Sequence, residues 1–376
     1  MTIGKFKLNH YINYIVIGAL TAVLGIMMLT GTRFDNSLLF LLEKVAISII
    51  LAVSLSLVVG FLGELSLGHA GFMCVGAYLG GKVAAVLVPA LGNGPLTFLI
   101  ALLAGSAAAA VCGIIIGIPA LRLRGDYLAI VTLAFGEIVK SLFQNSSSES
   151  FGGSLGLDTP RYDKNSLFII AFILVLLVLA VIQNLIRSKH GRAITAIRDN
   201  EIAARATGIN VTKYKLLAFT LSAAFAGVGG VLYSYSNYTV QSMKFGYNYS
   251  IEILVMVVLG GMGNINGSII AAALITFLNT KLATVLTGDL AVLQNLIYAL
   301  VLIVIIIYNN APKLKGFRDK YNLGVLVEKL KKHDPAHIKD DKAKWDVVPT
   351  KISMDEILSV DFTPQDFNNN GNGGEK

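Results

Sequence analysis

Charged side chains are scarce in this chain: they account for 14% of its 376 residues, whereas hydrophobic residues account for 55%. Mean hydropathy is correspondingly high, at +0.68. A soluble domain of this size has to expose part of its surface to water and cannot bury so much apolar side-chain area. The shortage of charge therefore excludes an ordinary soluble domain and predicts a protein whose solvent is lipid.

Motifs for catalysis and metal binding are also missing. The five histidines include no HExxH pair, and Cys74 and Cys112 form no Cys–His cluster of the kind that binds zinc. A P-loop spacing occurs at residues 76–83, but Val83 has no hydroxyl group for Mg²⁺ and the segment is apolar. There is no GxSxG elbow. We therefore expect no enzyme activity, metal or cofactor in this chain.

Long apolar runs with little charge recur along the chain. Because an α-helix rises about 1.5 Å per residue, roughly 20 residues cross the hydrocarbon layer. The runs predict an all-α fold, a polytopic transmembrane helix bundle of eight to ten spans that includes glycine-broken helices. The first run is interpreted as an uncleaved span, since it is too long for a signal peptide and no small-residue cleavage site follows. The expected spans are residues 11–30, 38–60, 66–88, 95–119, 126–143, 167–186, 214–235, 251–280 and 290–308.

Basic residues predict the orientation of the spans. Lys5 and Lys7 precede the first span, and the loop at residues 187–215 carries seven basic residues against two acidic ones. Short loops rich in lysine and arginine mark the cytoplasmic side of a membrane protein. We therefore expect a cytoplasmic N-terminus, with residues 144–166 and 236–250 on the opposite side.

The domain organisation follows from a change in composition near the end of the chain. Residues 1–311 contain the apolar runs and are expected to form the membrane domain. Residues 312–376 are rich in lysine, aspartate and asparagine, a composition that cannot bury a core. They are expected to form a polar, mostly disordered cytoplasmic tail.

Two glycine-rich segments interrupt apolar runs, at residues 60–71 and 260–267. Unwound backbone at membrane depth needs protein or a water-filled cavity to satisfy its polar groups, and paired broken segments often flank the pathway of a transporter. Close helix packing also requires small residues, so pathway and packing both remain open. The second interruption predicts that residues 251–280 form two crossings or a re-entrant pair rather than one crossing.

Polar residues within or near the spans are candidates for a translocation pathway, because a charge at membrane depth is costly and usually faces inward. The alternative is a structural ion pair or a side chain that reaches the interface. The candidates are Glu64, Ser66, His69, Glu137, Glu252 and Gly261.

A short helix is expected within the basic loop, over residues 196–206. Asp199 or Asn200 is a suitable N-cap, and Gly208 a suitable residue for ending the helix. An exposed helix held between two spans can transmit the motion of a docked partner to both spans.

This loop resembles the cytoplasmic loop of ABC-importer permeases. Ala203 and Ala204, followed after three residues by Gly208, match the core of the EAA pattern of these proteins. Glu201 is displaced by one position, with Ile202 where the glutamate normally stands, and the end of the pattern does not follow.

More specific motifs resemble the M-type permease of branched-chain amino acid importers over about residues 38–308. They occur in family order at residues 63–72 (GELSLGHAGF), 121–127 (LRLRGDY), 191–193 (GRA), 197–199 (IRD) and 260–263 (GGMG).

The resemblance implies a permease subunit of a bacterial-type inner membrane, paired with a second, H-type permease subunit. It also implies two ABC ATPase subunits, which bind ATP and Mg²⁺, and an extracytoplasmic amino-acid-binding protein. Glu201, Ala203, Ala204 and Gly208 would contact an ATPase. No cofactor and no nucleic acid are expected to bind this chain itself.

Two other functions remain as alternatives. An ion-coupled secondary transporter of small polar solutes would use Glu64, Glu137 or Glu252 as coupling carboxylates. A membrane-embedded enzyme or channel is disfavoured by the missing catalytic constellation and the absence of a repeated filter-like segment.

Overall fold

The computed structural model describes residues 35–123, 125–162 and 164–285, with short pieces at 17–18, 299–300 and 303. The expected spans at 11–30 and 290–308 lie almost entirely outside the described residues, as does the tail from residue 312. The total number of crossings and the state of the tail therefore stay predictions.

The described residues form helices joined by short loops, which confirms the all-α fold. The first helices are α1 (Asn36–Ser56), continued by a π-helix (Leu57–Leu62), α2 (His69–Leu91), α3 (Pro95–Ala120), α4 (Asp126–Gln144) and α5 (Ser148–Phe151). The later helices are α6 (Lys164–Arg187), α7 (Lys189–Asp199), α8 (Glu201–Ala206), α9 (Val211–Ser236), α10 (Tyr247–Gly260) and α11 (Ile265–Val285).

Six of the described helices, namely α1 with its π-helix, α2, α3, α6, α9 and α11, are long and apolar enough to cross a membrane. In α1, 94% of the most apolar 18-residue window is buried, against 28% in α3 and α11. A helix that is apolar on all sides and buried on all sides belongs at the centre of a bundle. Accordingly, α1 packs against α6, α9, α10 and α11.

Helices α2, α3 and α9 pack closely against one another. A Cβ atom on Gly76 of α2 would lie 2.4 Å from the carbonyl oxygen of Gly227 in α9, and one on Gly230 would lie 2.1 Å from the carbonyl oxygen of Met73. Glycine at these positions lets the backbones approach, as is common between membrane helices. Small residues in these spans therefore serve packing.

The predicted span at residues 66–88 begins later than expected, at His69. The π-helix that precedes α2 ends at Leu62. Gly63 follows it with a φ of +79°, which only glycine readily adopts. Residues 63–68 are not helical. The break predicted at residues 60–71 is therefore present, and it separates α1 from α2.

The break predicted at residues 260–267 is also present, between α10 and α11. Gly260 packs against Gly267 so closely that no side chain fits between them. With 14 residues, α10 is about 21 Å long, which is shorter than the hydrocarbon layer of about 30 Å. Of the two predicted arrangements, this length favours a re-entrant pair.

The loops expected to share one side of the membrane are paired with each other. Strand β1 (Leu157–Asp158) is antiparallel to β2 (Thr239–Val240), and the hydroxyl group of Tyr78 donates to the carbonyl oxygen of Val240 at 2.9 Å. A 3₁₀-helix at Gly153–Leu155 precedes β1, and another at Ser242–Phe245 follows β2. The loops are thus fixed to one another and to α2.

Replacing Gly76 by alanine is expected to lower the free energy of unfolding by about 1–3 kcal/mol, because the new methyl group would overlap the backbone of α9. Unfolding of the purified protein in detergent measures this. Gly94→Ala is the matched control, since nothing lies within 4 Å of its added Cβ and its φ is −117°. Equal stability of the two variants would contradict the packing assigned to Gly76.

Candidate functional site

The basic loop contains two helices, α7 and α8, instead of the one helix predicted over residues 196–206. Asn200 has extended backbone angles (φ −158°, ψ 104°), so α7 ends before it and α8 begins after it. Its side-chain oxygen accepts hydrogen bonds from the backbone N–H groups of Ile202 and Ala203, both at 3.0 Å. Of the two predicted caps, Asn200 is therefore the one used, and the predicted start at residue 196 is wrong.

The far end of α8 matches the prediction. Gly208 follows the last turn with φ +84°, the left-handed conformation that commonly ends a helix. Asn210 then caps α9 by accepting a hydrogen bond from the backbone N–H of Lys213 at 3.1 Å. Helix α8 is consequently held between two defined breaks in the chain.

Helix α8 has one buried and one exposed face. Ala204 is 4% exposed and anchors the helix, whereas Ile202 is 76% exposed and Ala203 is also exposed. The exposed face of α8 therefore carries one large apolar side chain.

Lys215, in the first part of α9, joins α8 to the first broken segment. Its ammonium group lies 2.5 Å from a carboxylate oxygen of Glu64 and 3.2 Å from one of Glu201. The lysine side chain is 5% exposed and that of Glu64 is 12% exposed. Glu201 is also paired with Arg205, at 3.0 Å. The candidate coupling residue Glu201 and the candidate pathway residue Glu64 are thus connected through the buried ammonium group of Lys215.

Arg198, near the end of α7, binds the same broken segment. One of its guanidinium N–H groups donates to the carbonyl oxygen of Gly60 at 3.1 Å, and the same nitrogen lies near Gly263 of the second break. A Cβ on Gly60 would lie 2.5 Å from the backbone nitrogen of Gly263. The two glycine breaks therefore touch each other, beside α7.

His69 is the first residue of α2 and directly follows the unwound residues 63–68. Its Nε2 atom is 2.8 Å from the hydroxyl oxygen of Ser54, which itself donates to the carbonyl oxygen of Leu51. The ring is 2% exposed, and the contact joins α2 to α1.

Neighbouring side chains satisfy the backbone of the first break. The N–H of Leu67 donates to the hydroxyl oxygen of Thr132 at 3.0 Å, and that of Ala70 donates to the hydroxyl oxygen of Ser250 at 3.1 Å. Ser66, which directly precedes Leu67, is 2% exposed. This unwound segment is stabilised by protein contacts, as membrane depth requires.

The remaining candidates lie apart from Glu64. Glu137 forms an ion pair with Lys140 and accepts a hydrogen bond at 2.8 Å from the backbone N–H of Tyr247, the first residue of α10. Glu252 accepts a hydrogen bond from Asn279 of α11 at 2.9 Å. Gly261 has φ +89° and ends α10. The structure therefore does not gather the predicted pathway residues into one site.

Sequence reasoning did not single out Lys215 or Arg198, which hold the arrangement together. Both are basic residues of the loop, and Arg198 also belongs to the IRD motif at residues 197–199. The one local signal is Glu64 in the break predicted at residues 60–71, since a carboxylate near an unwound segment needs a cation. Across the described part of the chain, no group of three or more His, Cys, Asp or Glu residues is arranged to hold a metal ion.

A family model described as the permease component of branched-chain amino acid transport systems matches residues 37–307. The chain belongs to this family.

Among curated relatives, the high-affinity branched-chain amino acid permease protein LivM of Salmonella typhimurium is 41% identical over 261 residues, and LivM of Escherichia coli is 40% identical over 260. Each alignment covers 61% of this chain and 60% of the relative. The ribose import permease protein RbsC of Escherichia coli is 28% identical over 315 residues, which cover 78% of this chain and 92% of the relative. No solved structure matches.

Membership of this branched-chain permease family, together with the six long apolar helices, makes the chain a multi-pass membrane protein of the transport class. The family match includes both glycine breaks, α7, α8 and Lys215. Glu64, Glu201, Lys215 and both glycine breaks therefore all lie within the residues that the family model matches.

Replacing Lys215 by methionine is expected to destabilise the protein by about 3–5 kcal/mol, because two carboxylates would lose their buried partner. Arg205→Met is the control and should cost under about 1 kcal/mol, since that pair is largely exposed. Thermal unfolding measures both. Adding Glu64→Gln should restore part of the loss; a strictly additive double variant would show that the two residues do not interact.

Proposed function

We propose that this chain is a permease subunit of an ATP-driven importer and forms half of the translocation pathway for branched-chain or related apolar amino acids. The family match and the LivM relatives support the substrate class. The observation that carries the mechanism is the connection from exposed α8, through Glu201 and Lys215, to Glu64 in the first break.

In this proposal an ATPase subunit docks on α8, and its closure on ATP moves α8 as a rigid element. The exposed side chain of Ile202 is the main apolar contact with the ATPase. Lys215, through Glu64, and Arg198, through Gly60, then transmit this displacement to the glycine breaks. Packed helices switch between discrete arrangements instead of deforming continuously, so a small displacement at α8 selects between two states of the bundle.

The proposed partners follow from this mechanism. A second, H-type permease completes the pathway, two ATPase subunits bind ATP and Mg²⁺, and a soluble amino-acid-binding protein delivers the substrate. The basic loop that contains α7 and α8 faces the cytoplasm of a bacterial-type cell, where the ATPases reside. The N-terminus is placed on the same side.

An ion-coupled secondary transporter is the weaker alternative. It needs a carboxylate that gains and loses an ion during the cycle. In the structure, Glu64 is paired with Lys215, Glu137 with Lys140, and Glu252 accepts a hydrogen bond from Asn279. These arrangements favour structural roles, although Glu252 also lines a cavity described below.

Ile202→Lys is expected to reduce ATP-driven uptake at least tenfold while leaving thermal stability within about 0.5 kcal/mol, because the side chain is exposed and contacts only the partner. Uptake of radiolabelled L-leucine by the complete importer in proteoliposomes measures the effect. A charged residue at Ala204 would be less specific, since that buried position anchors α8. Unchanged uptake by Ile202→Lys would refute docking at α8.

Uptake is further expected to require ATP on the side of the vesicle membrane where the ATPase subunits lie. Proteoliposomes with ATP should accumulate L-leucine, and those with a sodium or proton gradient but no ATP should not. Accumulation driven by the ion gradient alone would contradict the proposed function and support the secondary transporter.

A further inference from the structure

A large cavity lies at the end of the bundle opposite α7 and α8. It has a volume of about 970 Å³, near the upper end of the roughly 300–1,000 Å³ found for small-molecule pockets. The first turns of α1 and the last turns of α9 and α11 contribute to its wall. Lys44, in this wall, precedes Gly60 by 16 residues, which places the cavity about 24 Å along α1 from the glycine breaks.

The charges of the cavity are mixed, with a positive excess. Among the described residues of its lining, the cationic side chains are Lys44, Lys244 and Lys281, and the carboxylates are Asp35 and Glu252. Lys44 is close enough to Lys244 and Glu252 to interact electrostatically with both. Lys44 therefore has one carboxylate and one other ammonium group as electrostatic neighbours. With three cations against two carboxylates in its lining, the cavity favours a ligand that brings a carboxylate.

Polar groups and apolar surface occur side by side in this cavity. Ser37, Asn237 and Asn279 supply polar lining. Phe40, Ile47 and Phe277 supply apolar lining, and the ammonium group of Lys44 lies 4.5 Å from the centre of the Phe40 ring.

We propose that this cavity binds an apolar α-amino acid as a zwitterion. Lys44 and Lys244 bind its carboxylate, and Glu252 binds its ammonium group. The side chain of the ligand packs against Phe40 and Ile47. The choice of an amino acid rests on the proposed function, whereas the pairing of opposite charges beside apolar surface is read from the lining itself.

The position of the cavity connects it to α8. Helices α1, α9 and α11 each have one end near the glycine breaks or α8 and the other end in the cavity wall. A movement of α8 that shifts these helices therefore changes the distances between Lys44 of α1 and the other charged groups of the lining. The site would release its ligand when the partner ATPases close.

The test compares ligand binding by three variants of the full chain, purified in lipid nanodiscs with its co-purifying subunits and without the soluble binding protein. Lys44→Met and Glu252→Gln remove one charge each, and the glutamine retains an acceptor for Asn279. Glu149→Gln, at an exposed position outside the cavity, is the control. The ligands are L-leucine, 4-methylpentanoate, which has no ammonium group, and 3-methylbutylamine, which has no carboxylate.

Each charge change should weaken L-leucine binding about ten- to a hundredfold, the usual effect of losing a charge-assisted hydrogen bond. Glu252→Gln should also weaken the amine but not the carboxylate, and Lys44→Met the reverse. Glu149→Gln should change neither. This crossed pattern cannot arise from a merely structural role, which would affect all three ligands alike.

Three outcomes would overturn the inference: no L-leucine binding to the wild-type protein at millimolar concentration, unchanged affinity in both charge variants, or equal loss for all three ligands. If ATP-driven uptake persists in such a case, the site is wrong and the proposed function stands. Uptake without ATP would instead refute the proposed function, whatever the binding data show.

Discussion

The ammonium group of Lys215 is buried among apolar helices, and a buried charge is tolerated only beside partners of opposite sign. Glu64 and Glu201 meet this requirement from two different directions, one from the unwound segment after α1 and one from the first turn of α8. The position of α8 relative to the bundle follows from this contact. Loss of either carboxylate would leave the lysine with a single carboxylate partner.

Helix α1 is the element through which this constraint reaches the rest of the molecule. It is the most buried of the long helices, its end at Gly60 accepts a hydrogen bond from Arg198, and its beginning lines the large cavity. Protein interiors are densely packed, so a helix surrounded on all sides moves as a unit and displaces its neighbours. In the proposed mechanism, a displacement of α7 and α8 would reach a cavity about 24 Å away through α1, without a chain of specific polar contacts.

The glycine breaks serve packing and conformational change together. Gly60 and Gly263 are in backbone contact, which no larger residue would permit. Thr132 accepts a hydrogen bond from Leu67 of the unwound segment, and Ser250 accepts one from Ala70 in the first turn of α2. An unwound segment has fewer internal hydrogen bonds to break than a helix, so it can change conformation at lower cost. The same glycines therefore bring the helices together and provide the places where they can move.

The sequence by itself determined the elements that depend on local properties: the all-α membrane fold, both glycine breaks and the helix end at Gly208. These follow from apolar length, backbone conformation and hydrogen bonds between near neighbours. The sequence left the N-cap of α8 open between Asp199 and Asn200. Only the tertiary structure decided that His69 is a packing contact and that Lys215 pairs with Glu64, 151 residues away. Nothing local selects one carboxylate among several for a given lysine. Helix packing makes that choice, because it determines which charges are buried together.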